Sequence, residues 1–142
     1  MNTMIDHTPH TSQRDQTGRD VVAALTGSWR GWLTDAQGAA ESFNLERENV
    51  NLYVPGQVFL FTTPTGIAAG MRLLEAGEHA FVGLIGPYFD PAEGAMVVTV
   101  LEGTLEPGRL TGTFQTRRYN WRTTLRSGHF TATRVEQISR AA

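Results

Sequence analysis

From Gly27 onward the sequence reads as a succession of strand-forming runs, each ended by a turn signal. The runs are Ser28 to Thr34, Ala40 to Glu48, Gln57 to Thr63, Ile67 to Glu75, His79 to Gly86, Ala95 to Leu105, Arg109 to Arg118 and Arg122 to Val135. Between them stand Asp35-Ala36-Gln37-Gly38, Pro64-Thr65-Gly66, Ala76-Gly77-Glu78, Pro87 to Gly94, Glu106-Pro107-Gly108 and Tyr119-Asn120-Trp121. Connections this short force sequential strands to pair antiparallel. Eight such strands close most economically into an up-and-down barrel, which leaves no open edge. The expected fold is therefore an all-β, eight-stranded antiparallel barrel, with a β-sandwich as the alternative.

At 142 residues the chain has material for one domain and one core. Residues 1–16 are polar and poor in aromatic and branched side chains, the composition of a flexible arm that could act as a lid. The barrel domain is expected over 17–142. It opens on a short helix, with Thr17 as N-cap, Asp20 three positions on, Val21 to Leu25 following and Gly27 as the stop.

Alternation within the runs is uneven. Arg109 to Arg118 divides into Leu110, Gly112, Phe114 and Thr116 on one face and Thr111, Thr113, Gln115 and Arg117 on the other. Val58 to Phe61 and Ala95 to Leu101 are apolar on both faces, so their outer side calls for a cover. A two-turn helix covers little area, and a homodimer is the expected solution.

Composition removes whole classes of chemistry. The absence of Cys excludes disulfides, thiolate metal sites and cysteine nucleophiles. All 12 basic residues are Arg, and a chain without Lys has no Schiff base and no P-loop. The N-terminus has neither the basic head nor the apolar run of a secretory signal, and no stretch approaches a membrane span, so a cytoplasmic, membrane-free location is expected. Asp6, His7 and His10 lie in the polar arm without a fourth ligand in register, so no metal is expected. Arg117, Arg118, Tyr119, Asn120, Trp121 and Arg122 interleave cations with aromatics. In a chain of net charge −2 they read better as a mouth hairpin meeting an acidic headgroup or Glu partners than as a nucleic-acid surface. A Ser-His-Asp hydrolase is excluded, because no Gly-x-Ser-x-Gly elbow occurs. His129, after Ser127-Gly128 where a bulge is expected, reads as a rim or surface residue.

Gly27-Ser28-Trp29 at the first strand, preceded by a short helix, together with Arg134 near the end of the last, resembles the calycin pattern of lipocalins and avidins. The resemblance implies structural roles for Trp29 and Arg134, the guanidinium covering the indole to seal the base. A cation-π contact of this kind is worth about 0.5 to 2 kcal/mol where solvent is excluded.

A Lys-free, calycin-like barrel with a polar arm resembles the small barrel cyclases of bacterial polyketide pathways, which form spirotetramate or spirotetronate rings by intramolecular 4+2 cycloaddition. The resemblance implies a cofactor-independent cyclase that folds a linear, hydrophobic polyketide-like substrate. Gln115 would anchor its acidic headgroup by hydrogen bonding and Glu46 would orient it. Phe43, Phe59, Phe61, Met71, Tyr88, Phe114, Tyr119 and Trp121 would form the pocket wall or rim, on whichever strand face turns inward. The alternative is a non-catalytic carrier of a small hydrophobic ligand. An oriented donor in the pocket favours the cyclase, and a purely apolar cavity the carrier.

Overall fold

The computed structural model describes residues 25–47, 57–120 and 122–135, apart from the side chains of Gln57 and Val58. Eight strands form, β1 (Ser28–Asp35), β2 (Ala40–Arg47), β3 (Gln57–Thr62), β4 (Ala68–Ala76), β5 (Ala80–Asp90), β6 (Ala95–Glu106), β7 (Arg109–Arg118) and β8 (Thr124–Arg134). Each pairs antiparallel with the next, and β8 closes on β1 from Trp29 opposite Arg134 to Asp35 opposite Gly128. The result is a closed barrel and not a sandwich, so none of the described strands is left as an unpaired edge. The expected arm over 1–16, and the expected helix apart from Leu25, lie outside the described residues.

The alternation expected on β7 is present, with Leu110, Phe114 and Thr116 buried inside and Thr113 and Gln115 exposed outside. Aromatic side chains, with Leu, Ile, Val and Met, fill the interior. Phe43 stacks on Phe61 at 5.4 Å between ring centroids and meets Phe130 edge-on at 6.4 Å. Each such ring removed from water contributes about 1.5–3 kcal/mol. Room for Phe130 comes from two paired glycines, Gly103 on β6 and Gly112 on β7. A Cβ at either would lie within 2.9 Å of that ring, and at Gly112 it would also collide with the Glu102 carbonyl oxygen. Glycine at such positions lets a sheet curve tightly enough to close.

Beyond shifts of one or two residues at strand ends, two features differ from the sequence reading. The expected turn from Pro87 to Gly94 is instead strand as far as Asp90, and the turn is confined to the next four residues. A register shift between Ile85 and Tyr88 marks a bulge, with Gly86 at φ 104° and a cis Gly86–Pro87 bond. Pro87 has no N–H to give the ladder, and a bulge is where a strand tolerates it. In β8 the irregularity falls between Thr124 and Arg126, not at Ser127-Gly128.

The bulge in β5 also changes which side chains turn inward. Phe81, Gly83 and Ile85 face the interior up to that point, and Tyr88 and Asp90 do so beyond it. Without the extra residue, Pro87 and Phe89 would point inward and Tyr88 and Asp90 into solvent. Phe89 and its cross-strand partner Met96 are accordingly exposed. Val98 and Val100 on the outer face of β6 are half-buried.

Candidate functional site

The two ends of the barrel differ. At the base, Trp29 is fully buried and its indole N–H donates to the Leu25 carbonyl at 2.9 Å. The Arg134 guanidinium lies 4.4 Å from the ring centroid, and its Nη1 donates to the Thr26 carbonyl at 2.6 Å. The Trp-Arg contact expected from Gly27-Ser28-Trp29 is thus formed. Arg134 is exposed, however, which places the contact near the lower end of its range, about 0.5–1 kcal/mol.

The opposite end is built by the β1–β2, β3–β4 and β5–β6 turns. Here a pocket of about 400 Å³ opens, lined by Leu33 and Phe114 from the buried interior, by Ala39, Ala40, Pro91 and Ala92, and by Asp35, Glu41, Thr65, Asp90 and Arg126. Each polar member has an assigned contact. Asp35 Oδ1 accepts the N–H groups of Gln37 and Ala39, holding the β1–β2 turn. Thr65 Oγ1 donates to Glu41 Oε2 at 3.2 Å. Asp90, only 2% exposed, accepts the Ala92 N–H on Oδ1 and the Arg126 Nη2 on Oδ2, at 2.9 and 3.1 Å. Arg126 Nη1 reaches Glu93 at 3.4 Å.

Within the barrel on the same side, three buried hydroxyls form a chain. Tyr88 shares a 2.9 Å hydrogen bond with Thr99, and Thr99 a 2.7 Å bond with Thr116. Cross-strand pairing sets the row, since Thr99 lies opposite Thr116 and Thr116 opposite Arg126. Burial pushes the Tyr88 phenol above its ordinary pKa, the Thr99 hydrogen bond opposes the shift, and the Asp90 carboxylate adds to it. The phenol is therefore neutral at physiological pH and able to donate.

The residues expected to form a site divide into three groups. Phe43, Phe59, Phe61 and Met71 are fully buried in the packed interior and do not line the mouth pocket; they are core. Phe114 lines the pocket, Tyr88 faces inward behind Asp90, and Tyr119 is exposed on the β7–β8 turn. Trp121 lies outside the described residues.

The pair given the chemistry, Gln115 and Glu46, does not come together. Both are exposed, on β7 and β2, which are not neighbours in the barrel. Strand alternation is the reason: Gln115 has outward-facing Val100 and Ser127 as cross-strand partners and borders an outer groove with Glu102 and His129.

The polar residues that do line the mouth, Asp35, Glu41, Thr65, Asp90 and Arg126, are not singled out by the sequence as a site. Arg126 carries a sequence signal. It falls in phase with buried Phe130 and Ala132, so period-two counting back along β8 turns it inward.

No protein-family model matches the chain, and no curated protein matches it. Among solved structures the chain is similar to a redesigned β-barrel, at a TM-score of 0.55 and 15% identity over 82% of this chain and 96% of that one. At that identity the likeness concerns the fold, and the architecture it supports is the eight-stranded antiparallel barrel.

Proposed function

We propose that the chain is a small-molecule binding barrel that takes a compact hydrophobic ligand at its mouth. The observation that carries this reading is the 400 Å³ pocket, where Leu33 and Phe114 supply apolar wall and a few fixed polar groups stand at the rim. Ligand sites typically have this size and this division of surface. The base plug of Trp29 and Arg134, the feature that resembles calycins, supports entry from the opposite end. The packed aromatic interior limits the ligand to the mouth, which suits a compact molecule better than a long polyene folded inside the barrel.

The neutral fluorophore N-phenyl-1-naphthylamine tests the reading. Its emission should rise on binding the wild-type chain. The rise should be lost in Ala92→Trp, which fills the rim from an exposed position and leaves the backbone N–H that bonds Asp90 in place. Equal enhancement in both proteins would place the probe elsewhere and remove the proposal.

A cofactor-free cyclase is the second reading, and one observation favours it. Arg126 is a charged donor fixed by Asp90 and Glu93 beside the apolar wall, a feature that simple carriage does not require. On this reading the donor is Arg126 and not Gln115, and it would polarise a carbonyl conjugated to the reacting double bond. Incubation with a linear polyene and measurement of ring formation against the uncatalysed rate separates the two readings. Acceleration that is lost in Arg126→Leu supports the cyclase, and unchanged ligand supports the carrier.

A further inference from the structure

We infer that the mouth pocket selects a cationic amphiphile, an ammonium group carried on a compact apolar body; the inference rests on the ligand-binding reading above. It follows from the charge balance of the lining. Three carboxylates line the pocket, those of Asp35, Glu41 and Asp90, against the single guanidinium of Arg126. That guanidinium is already engaged, one terminal nitrogen on Asp90 and the other on Glu93, itself a fourth carboxylate. Arg117, Arg118 and Arg122 do not line the pocket.

Two negative groups are therefore left facing the ligand space without an ion pair among the described residues. Asp35 is occupied by two backbone N–H groups of its own turn through Oδ1, and Glu41 accepts one hydroxyl hydrogen bond, from Thr65. Neither contact neutralises a charge. Both residues are partly shielded from solvent, where Coulomb attraction for a cation is stronger than in bulk water. Leu33 and Phe114 lie beside them, so an ammonium at Glu41 would leave its apolar body against hydrocarbon. An anionic headgroup would meet the opposite balance. The acidic headgroup expected from the sequence is therefore disfavoured at this mouth.

The experiment compares three probes with one rigid body, namely 1-adamantanamine, 1-adamantanol and 1-adamantanecarboxylate, titrated calorimetrically into the full chain near neutral pH at low and high salt. The amine should bind about tenfold or more tighter than the alcohol, the carboxylate should bind weakest, and added salt should compress the difference. Glu41→Gln should reduce the amine-to-alcohol ratio several-fold, with continued binding of the alcohol showing that the pocket remains formed. A carboxylate that binds as well as the amine would overturn the inference, and so would an amine no tighter than the alcohol; either result leaves the pocket itself standing. Failure of all three probes to bind would instead overturn the ligand-binding reading, and the inference with it.

Discussion

Arg126 on β8 bonds Asp90 on β5 at 3.1 Å, although β6 and β7 lie between the two strands in the sheet. The contact ties two walls of the mouth together independently of the backbone ladder. Asp90 is almost wholly buried, whereas Glu93, the second partner of Arg126, is 30% exposed and more distant at 3.4 Å. The two carboxylates should accordingly differ in weight. Asp90→Asn is expected to cost about 1–3 kcal/mol, the value of a charge-assisted hydrogen bond whose partner stays partly buried. Glu93→Gln should cost less than about 1 kcal/mol, as exposed pairs do. Chemical denaturation of the two variants checks the order, and a larger loss in Glu93→Gln would refute it.

The hydroxyl chain makes a second prediction. Thr99 is the middle member, bonded to both Tyr88 and Thr116, and all three are buried. Thr99→Val keeps the shape and strips a partner from two hydroxyls at once. It should destabilise by about 2–4 kcal/mol, and Tyr88→Phe and Thr116→Val by about half as much each, since a buried polar group left unsatisfied costs roughly 1–3 kcal/mol. Equal losses across the three variants would mean that the chain is not continuous.

Much of the barrel was legible because its devices are local. Turn signals such as Asp35-Ala36-Gln37-Gly38 and Glu106-Pro107-Gly108 mark where strands end, and period-two alternation on β7 separates inside from outside correctly. The site was less legible because it depends on a phase change. The residues of β5 count one way up to Ile85 and the other way from Tyr88, and the sequence around Gly86-Pro87 reads equally well as a turn. Placed in a loop, Asp90 gave no reason to look for a partner on β8. Gln115 shows the converse: period two correctly places its amide on the outer face of β7, where it borders a groove with Glu102 and His129 and does not meet Glu46. The packing of Phe43, Phe59 and Phe61 was similarly open to reading as pocket wall, since a row of aromatics looks the same in a filled barrel as in a hollow one.

Alkaline stability should report on Tyr88. Burial raises its pKa in the folded chain, so the folded state holds the phenolic proton more tightly than the unfolded state does. The sign follows from linkage. This group's contribution is fully present below the unfolded value, about pH 10, and is lost as pH rises from there through the folded value. Tyr88→Phe has nothing to ionise at that position. Its denaturation midpoint, lower at neutral pH for want of the Thr99 bond, should fall less steeply than that of the wild type above about pH 10. Parallel curves for the two proteins would show that the Tyr88 phenol titrates alike in the folded and unfolded chains.

The barrel's closure makes the last prediction. Gly112 lies opposite Gly103 on β6 and Phe130 on β8, and a Cβ there would strike the Glu102 carbonyl oxygen and crowd the Phe130 ring within 2.8 Å. A backbone atom cannot rotate away as a side chain does, so β6 and β7 would have to separate where the wall curves around Phe130. Gly112→Ala should therefore lose about 3 kcal/mol or more, well beyond the cost of ordinary overpacking, and Phe130→Leu should not restore it because the carbonyl clash remains. Gly38 offers a control, with a positive φ of 89° but nothing within 4 Å of a Cβ. Gly38→Ala carries conformational strain alone and should cost about 1–2 kcal/mol. Thermal unfolding of the two variants should show the larger drop for Gly112→Ala; the reverse order would mean that close approach of β6 and β7 at Gly112 is not what shapes the barrel.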